Sequence, residues 1–258
     1  MRLMWQRLRQ RSEQRAVARR AIPEALWLLT LARYPFLARR DAGDVAELRR
    51  LSSLFLDSKE FSGAHGMEVG DEMAVAIAAQ ACLPVLRLGL RPYDGFVGIV
   101  VQPDEVRVRR EVVDDDGIVH EYDDVLAGEA MEGGPVMLSW RDVSEAGESA
   151  EWGYNVVVHE FAHVLDMGDG LADGIPPLSG PAERSRWEAV LMADYEAFCE
   201  RVDAGMDTVL DPYGAESPEE FFAVASEAFF VAPTDMRGEH PALYALLAGY
   251  YRQDPAAR

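Results

Sequence analysis

Two histidines that share one helical face constrain this chain most, in the segment His159-Glu160-Phe161-Ala162-His163. Residues four apart on an α-helix lie on the same face, so both imidazoles can reach one ion with the glutamate beside them. Apolar residues flank the segment on both sides, which predicts a buried helix. Two imidazoles and a carboxylate buried without partners would be costly, and a metal ion would satisfy all three, whereas ordinary core histidines would need separate hydrogen bonds. The segment therefore predicts a catalytic zinc site.

The third protein ligand of such a site is not decided by the residues alone. A catalytic zinc site has three protein ligands and one open position. The pattern that continues to a third histidine would place it at residue 169, where this chain has Asp169, a carboxylate that could also bind. A later apolar helix with Ser217 as its N-cap presents Glu220 and Glu227 on one face. Glu220 also occupies the capping-box position, so Glu220, Glu227 and Asp169 all stay open.

Charge and composition exclude several classes of protein. The 258 residues include 25 basic and 45 acidic side chains, a net charge of −20, which disfavours direct binding to nucleic acid. The first 50 residues carry an excess of arginine, so we predict a basic, partly frayed N-terminal arm over residues 1–20 on an acidic body. No apolar run is long enough to span a membrane. Two distant cysteines favour a reducing compartment, and we predict a cytoplasmic protein.

Hydrophobic periodicity predicts one α+β domain over residues 1–258, with helices around a small mixed sheet. Helical spacing occurs over residues 1–20, 23–37, 43–56 and 71–83, and again after residue 151. Segments rich in valine, isoleucine and aromatic residues predict strands at residues 96–101, 105–113 and 135–140. The chain has no internal repeat and no long linker, which favours one domain over two.

Three motifs together resemble one known family. They are the segment from His159 to Asp166, the segment from Tyr213 to Glu227 and the apolar helix at residues 77–83. Shorter similar stretches occur at residues 59–61, 66–68 and 250–254. From about residue 22 onward the chain resembles the Mlc titration factor A family of bacterial zinc peptidases.

The resemblance implies a single zincin-like metallopeptidase domain, gluzincin-like and similar to the catalytic domain of anthrax lethal factor. It implies that one Zn²⁺ per chain is held by His159, His163 and Glu220. Glu160 would be the catalytic base, and Tyr213 would stand near the open metal position. The family is described as aminopeptidase-like enzymes that also bind the transcriptional repressor Mlc, so a peptide substrate and such a repressor are the implied partners.

Other acidic residues near the motif have supporting roles in this prediction. Asp166 follows His163 by three residues on the ligand face, where it could orient an imidazole or bind backbone at the helix end. We expect Glu227 to orient a ligand from outside the metal's ligand set. The acidic clusters at residues 114–116 and 123–124 are expected to be solvated turns, since neither has calcium-ligand spacing.

Two functions follow from these features. The leading one is a zinc metallopeptidase that acts on peptides, and the alternative is a non-proteolytic protein that sequesters a transcriptional regulator. Glu160 favours the peptidase, because a binding protein needs no base beside its ligands. The strand at residues 135–140 is expected either to bind an extended peptide along its edge or to be an ordinary strand. The helix around residues 184–202 is expected to pack beside the site.

Overall fold

The computed structural model describes the backbone of residues 2–104, 106–113, 119–126, 128–131 and 133–257. Side chains are described for residues 11–104, 128–131 and 133–257. The acidic cluster at residues 114–116 lies outside the described residues, so its turn stays a prediction. The turn predicted at residues 123–124 is wrong, because both residues lie in the strand Val119–Leu126, where Asp123 is opposite Arg109.

Helices make up most of the described chain. They are α1 (Arg2–Arg19), α2 (Glu24–Arg33), α3 (Pro35–Ala38), α4 (Ala42–Ser58), α5 (Asp71–Ala81), α6 (Trp140–Ser149), α7 (Val156–Asp166), α8 (Pro181–Asp203), α9 (Pro218–Val231), α10 (Pro233–Glu239) and α11 (Pro241–Tyr251). The helix predicted over residues 23–37 is divided into α2 and α3, because Pro35 disfavours helical backbone at the residue before it.

The strands form a small mixed sheet and a separate pair. They are β1 (Glu60–Gly63), β2 (Gly98–Gln102), β3 (Val106–Val113), β4 (Val119–Leu126), β5 (Gly128–Ala130) and β6 (Val136–Ser139). The four-stranded sheet has the order β1-β2-β6-β5, and β3 pairs with β4 in antiparallel fashion. In the sheet, β1, β2 and β6 are parallel, whereas β5 is antiparallel to β6. Helices around a small mixed sheet confirm the predicted α+β fold class.

Of the two alternatives for the strand at residues 135–140, the structure excludes pairing with a peptide and supports an ordinary strand of the sheet. Strand β6 is paired on both sides, with Leu138 opposite Val101 of β2 and Met137 opposite Glu129 of β5. Its backbone groups are therefore already used by the two neighbouring strands. The short strand β5 is the outer strand on this side of the sheet. Three residues are too few for a period-two pattern, so the sequence did not indicate this strand.

Helices α7 and α9 pack against each other in the core. Asn155 caps α7 through its Oδ1, which accepts from the Val158 N–H at 2.9 Å. Ser217 caps α9 in the same way, with its Oγ 3.3 Å from the Glu220 nitrogen. Every residue of α9 from Phe221 to Val231 is buried. Capping thus defines where each helix begins, and burial holds the two helices together.

Helix α8 covers the outer side of α9. The rings of Tyr195 and Phe221 lie 5.5 Å apart, between their centroids, and Trp187 and Leu191 of α8 are buried. The prediction that the helix after the histidine motif packs beside the site is consistent with this arrangement.

The described part of α1 lies against α4. Arg19 pairs with Asp57 at 2.7 Å, Arg50 approaches Glu13 at 3.4 Å, and Ala16 is buried. Among the described residues, no helix combines the length and apolar character needed to cross a membrane. The predicted fraying of residues 1–20 stays a prediction. The assignment of residues 1–258 to one domain also stays a prediction.

Candidate metal centre

Three side-chain atoms from α7 and α9 converge on one point. Glu220 Oε2 lies 3.0 Å from His159 Nε2 and 3.3 Å from His163 Nε2, and the two imidazole nitrogens are 3.2 Å apart. Ligand atoms of a tetrahedral zinc ion, at about 2.0–2.2 Å from the metal, are separated from one another by about 3.3–3.5 Å. The three atoms therefore have a spacing close to that of one shared ion.

The buried Glu220 oxygen supports the same interpretation. Glu220 Oε2 is shielded from solvent and accepts no well-aligned hydrogen bond, although two imidazole nitrogens lie close to it. Such an atom requires an explanation in a folded protein. Two imidazoles and a carboxylate are also a donor set that zinc uses in catalytic sites. The residues present thus fit a bound zinc ion.

Among the described residues, this trio alone has the proximity needed to share a metal. Asp169 is exposed at the end of α7 and lies 3.4 Å from Arg184 instead. Glu227 contacts His159 at Nδ1, the nitrogen on the other side of the ring. Of the three carboxylates that the sequence left open, the geometry therefore favours Glu220 as the third ligand.

The His159 ring is held from behind by a chain of polar side chains. Its Nδ1 lies 2.8 Å from Glu227 Oε1, and the other Glu227 oxygen accepts the backbone N–H of Asn155. The Asn155 amide in turn donates to Gln80 Oε1 at 2.8 Å. A proton on Nδ1 that is donated to Glu227 makes Nε2, which faces Glu220 and His163, the ring nitrogen that could bind a metal.

Two opposing effects determine the pKa values of the cluster residues: burial disfavours the charged forms, and contacts between opposite charges favour them. Burial lowers the pKa of His159, but its contacts with Glu220 and Glu227 outweigh this and hold that pKa well above its usual range. Burial raises the pKa of Glu220, but the two imidazoles outweigh it and hold the pKa well below its usual range. Burial dominates at Glu227 and raises its pKa. Without a metal, these shifts favour a protonated His159 imidazole beside an ionised Glu220 carboxylate.

Glu160 lies beside the cluster and is shielded from solvent. It is 4% exposed, and its Oε2 has no hydrogen-bond partner. Burial, opposed by His159 and His163, raises the pKa of Glu160 to about 7. A carboxyl group with that pKa exchanges a proton readily near neutral pH, as a general base must.

Gly128 of β5 makes room for the Glu160 carboxylate. A Cβ at residue 128 would lie 2.4 Å from Glu160 Oε1 and 2.5 Å from its Cγ. Only a residue without a side chain allows the strand to pass this close. The outer strand of the sheet therefore runs directly past the predicted catalytic base.

Tyr213 is near the cluster in space as well as in the family motif. It lies in a short 3₁₀ turn, Pro212–Ala215, capped by Asp211, whose Oδ1 accepts from the Tyr213 N–H at 2.9 Å. The centroid of its ring is 6.0 Å from that of His159. The turn therefore holds the half-buried phenol ring beside a predicted ligand.

Asp166 is fully buried, and its described hydrogen bond goes to backbone. Its Oδ2 accepts the Gly174 N–H at 2.9 Å, while Oδ1 is buried without a hydrogen-bond partner. Burial is the main reason that the pKa of Asp166 is raised to about 7. The sequence left two roles open for Asp166, binding backbone at the helix end or orienting a ligand imidazole. The structure shows the backbone contact, and orientation of His163 by Asp166 stays a prediction.

Sequence reasoning missed Gly128, Asn155, Gln80 and Gly174 as parts of this region. Asn155 had a usable signal, because it precedes the apolar helix at the position of an N-cap. Gln80 had a weaker one, a polar residue inside an apolar helical pattern. The two glycines carry no local signal, because their neighbours come from distant parts of the chain.

A cavity of about 1010 Å³ opens next to this region. Its lining includes Met131, which follows β5, and Val164, which follows His163. Most of the lining is apolar or glycine, and its described charged residues are Arg91 and Arg252. Within the described part of the chain, neither guanidinium forms an ion pair, and Arg252 has a left-handed φ of 54°. The cavity thus combines an apolar wall with positive charge.

Comparison with known proteins gives consistent matches over nearly the whole chain. The family model described as Glucose-regulated metallo-peptidase M90 matches residues 6–252. Mlc titration factor A of Edwardsiella ictaluri is 39% identical over 87% of this chain and 86% of its own length. The Mlc titration factor A of Salmonella arizonae is 37% identical, with 90% and 92% covered. An uncharacterized protein of Synechocystis sp. is 38% identical, with 86% and 82% covered.

These matches confirm the resemblance inferred from the motifs, with one change of extent. The resemblance was expected to begin near residue 22, whereas the family model begins at residue 6. Most of α1 therefore belongs to the matched region.

Proposed function

Because the chain belongs to the glucose-regulated metallo-peptidase M90 family, we propose that it is an aminopeptidase-type enzyme with one zinc ion held by His159, His163 and Glu220. The observation that carries this proposal is the convergence of three ligand atoms within 3.0–3.3 Å of one another. The family membership supports a metallopeptidase, and the donor set supports zinc as the metal. When bound, zinc would lower the pKa of a coordinated water and polarise the scissile carbonyl.

Glu160 supplies the base. Its carboxylate takes a proton from the attacking water and passes it to the nitrogen of the leaving amine. Burial supports this role because it raises the pKa of Glu160, to about 7 in the metal-free protein, and so favours uptake of a proton. Gly128 on one side and α7 on the other restrict where the carboxylate can lie.

Tyr213 stabilises the transition state in this proposal. Negative charge develops on the carbonyl oxygen as water attacks, and a phenol O–H placed there donates a hydrogen bond to it. The support is the position of the Tyr213 ring, whose centroid lies 6.0 Å from that of the His159 ring. The capped 3₁₀ turn keeps the ring there without help from the substrate.

The peptide lies along β5 in this proposal. Strand β5 is the outer strand of the sheet next to the cluster, and backbone pairing along such a strand accepts many side chains. Gly128 is the residue of β5 that contacts Glu160, and Met131, which lines the neighbouring cavity, is three residues further along the chain. Three extended residues span about 10 Å, so the cavity begins about that far from Glu160. A substrate residue three positions from Glu160 along the strand would therefore enter the cavity.

A second role is binding to a transcriptional repressor, and the support for it is the name that two relatives carry, Mlc titration factor A. We propose that such binding uses a surface outside the metal centre. Glu160→Gln would then abolish turnover without changing repressor binding, which a pull-down with the purified repressor measures. Loss of binding in that variant would place the repressor at the metal centre instead.

The experiment for the main proposal compares zinc content and hydrolysis of an alanyl fluorogenic amide in purified variants. We expect about one zinc per chain in the wild type, loss of zinc in Glu220→Ala and retention in Glu219→Ala, the neighbouring control. Glu160→Gln should keep zinc and lose turnover by about 10²-fold or more. Full turnover in Glu160→Gln, or equal zinc loss in both glutamate variants, would contradict the proposal.

A further inference from the structure

Gly174, in the loop between α7 and α8, contacts the two helices that carry the metal cluster, α7 and α9, and also α8. Its N–H donates to Asp166 Oδ2 at 2.9 Å, three residues after His163 on α7. Its carbonyl accepts from the indole N–H of Trp187 on α8, also at 2.9 Å. Both backbone groups of one buried residue are thus fixed by side chains from two helices.

The third contact of Gly174 is with the start of α9. A Cβ at residue 174 would lie 2.5 Å from the carbonyl oxygen of Pro218 and 2.9 Å from Leu191 Cδ2. Pro218 is the first residue of α9, two residues before Glu220. The residue also has a φ of +75°, a conformation that side-chain-bearing residues rarely adopt. Both the space and the backbone conformation therefore require glycine.

From this arrangement we infer that Gly174 is a positioning residue for the third metal ligand. It sets the first turn of α9 against the end of α7, and so sets the distance from Glu220 to His159 and His163. This inference rests on the metal centre proposed above. It adds a residue that touches neither the metal nor the substrate.

The distances indicate how sensitive the ligand set would be. A side chain at residue 174 would have to separate from Pro218 by at least 0.5 Å to reach 3.0 Å, the closest approach that real Cβ atoms show. Metal–ligand distances tolerate only about 0.2 Å of error. If Glu220 moved as far as Pro218, its distance to the metal would change by more than a metal site tolerates.

The test compares Gly174→Ala with Gly205→Ala by zinc affinity, measured through competition with a chromophoric chelator. Gly205 has a φ of +65° and no heavy atom within 4 Å of the added Cβ, so it carries the backbone strain without the contact. We expect about 10–100-fold weaker zinc binding in Gly174→Ala and unchanged binding in Gly205→Ala. Thermal unfolding of the metal-free proteins verifies that both are folded.

Equal zinc affinity in Gly174→Ala and wild type would overturn the inference. Absence of zinc binding in the wild type would instead overturn the proposed metal centre, so the two failures are distinguishable.

A second pair of variants covers the case in which Gly174→Ala does not fold. Asp166→Asn keeps an oxygen that accepts the Gly174 N–H, whereas Asp166→Ala removes it. We expect Asp166→Ala to weaken zinc binding and Asp166→Asn to restore most of it. Equal weakening in both variants would show that Asp166 acts through its charge, and unchanged binding in Asp166→Ala would show that the contact is dispensable. Either result overturns this inference.

Discussion

The backbone of Gly128 lies so close to the Glu160 carboxylate that a single added methyl group would overlap it, at 2.4 Å from Oε1. The outer strand of the sheet and the predicted catalytic base are therefore coupled directly. A substrate bound along β5 would lie within reach of Glu160. This relationship leads to the first prediction.

Gly128→Ala should displace Glu160 and lower kcat without removing the metal. A misplacement of about 1 Å in a catalytic group can cost about 10²-fold in rate. Steady-state hydrolysis of the alanyl amide, with zinc content determined on the same sample, measures both effects. Gly249→Ala on α11 is the control, since its added Cβ meets no heavy atom within 4 Å. An unchanged kcat in Gly128→Ala would contradict the role given to this contact.

Zinc binding should release a proton and strengthen as the pH rises. The pKa of His159 is held well above its usual range in the metal-free cluster, so its imidazole is protonated at neutral pH. The metal must displace that proton to reach Nε2, which makes binding weaker at lower pH. Below the pKa of His159, affinity should rise by about tenfold per pH unit for one proton. Calorimetry in buffers of different ionisation enthalpy measures the proton count, and a count of zero would contradict the prediction.

Glu227→Gln should weaken zinc binding while the fold is retained. Glu227 accepts from both His159 Nδ1 and the Asn155 N–H, and the single oxygen of glutamine can replace only one of these acceptors. Loss of such an orienting partner typically costs about 10–100-fold in metal affinity. Chelator competition gives the affinity, and Glu219→Gln is the matched control. Affinities that agree within experimental error would remove Glu227 from the orienting role.

Glu227→Ala should destabilise the fold more than Glu227→Gln does. Alanine leaves the buried Asn155 N–H without an acceptor, which costs about 1–3 kcal/mol. It also leaves a cavity in the middle of α9, where the surrounding residues are buried. Urea denaturation of the metal-free variants measures the difference in the free energy of unfolding. Equal stability of the two variants would show that the N–H finds another partner.

Arg91→Ala and Arg252→Ala should change substrate preference without changing the chemical step. The two guanidinium groups line the cavity beyond β5 and form no ion pair within the described part of the chain. Peptides with an acidic residue three positions from Glu160 along the strand should show a raised KM in both variants, while neutral peptides keep theirs. Arg186→Ala on the exposed side of α8, away from the cavity lining, serves as the control. Equal effects on acidic and neutral peptides would contradict a charge-specific subsite.

Much of the candidate site could be predicted from local sequence. The His159–His163 pair follows from the helical repeat alone, and the apolar flanks predict that α7 is buried. The cap at Ser217 and the apolar run after it predict α9 and the face that carries Glu220. These features depend only on residues within one or two turns of each other.

Contacts between distant segments could not be predicted in this way. Local sequence left Glu220, Glu227 and Asp169 open as the third ligand, and only the family resemblance favoured Glu220. The packing of α7 on α9 places Glu220 at Nε2 and Glu227 at Nδ1 of the same ring. Whether the strand at residues 135–140 lies at the edge or in the interior of the sheet was open for a similar reason, because the position of a strand within a sheet depends on its partners.

The sequence by itself therefore determined most of the long helices, the cap at Ser217, the α+β class and the placement of His159 and His163 on one helical face, since all of these follow from short-range periodicity and backbone chemistry. Only the tertiary structure decided which carboxylate completes the cluster, how closely Gly128 approaches Glu160 and what Asp166 binds. Each of those is a distance between segments far apart in the chain. Such distances are determined by side-chain packing in the whole core, which no local pattern encodes.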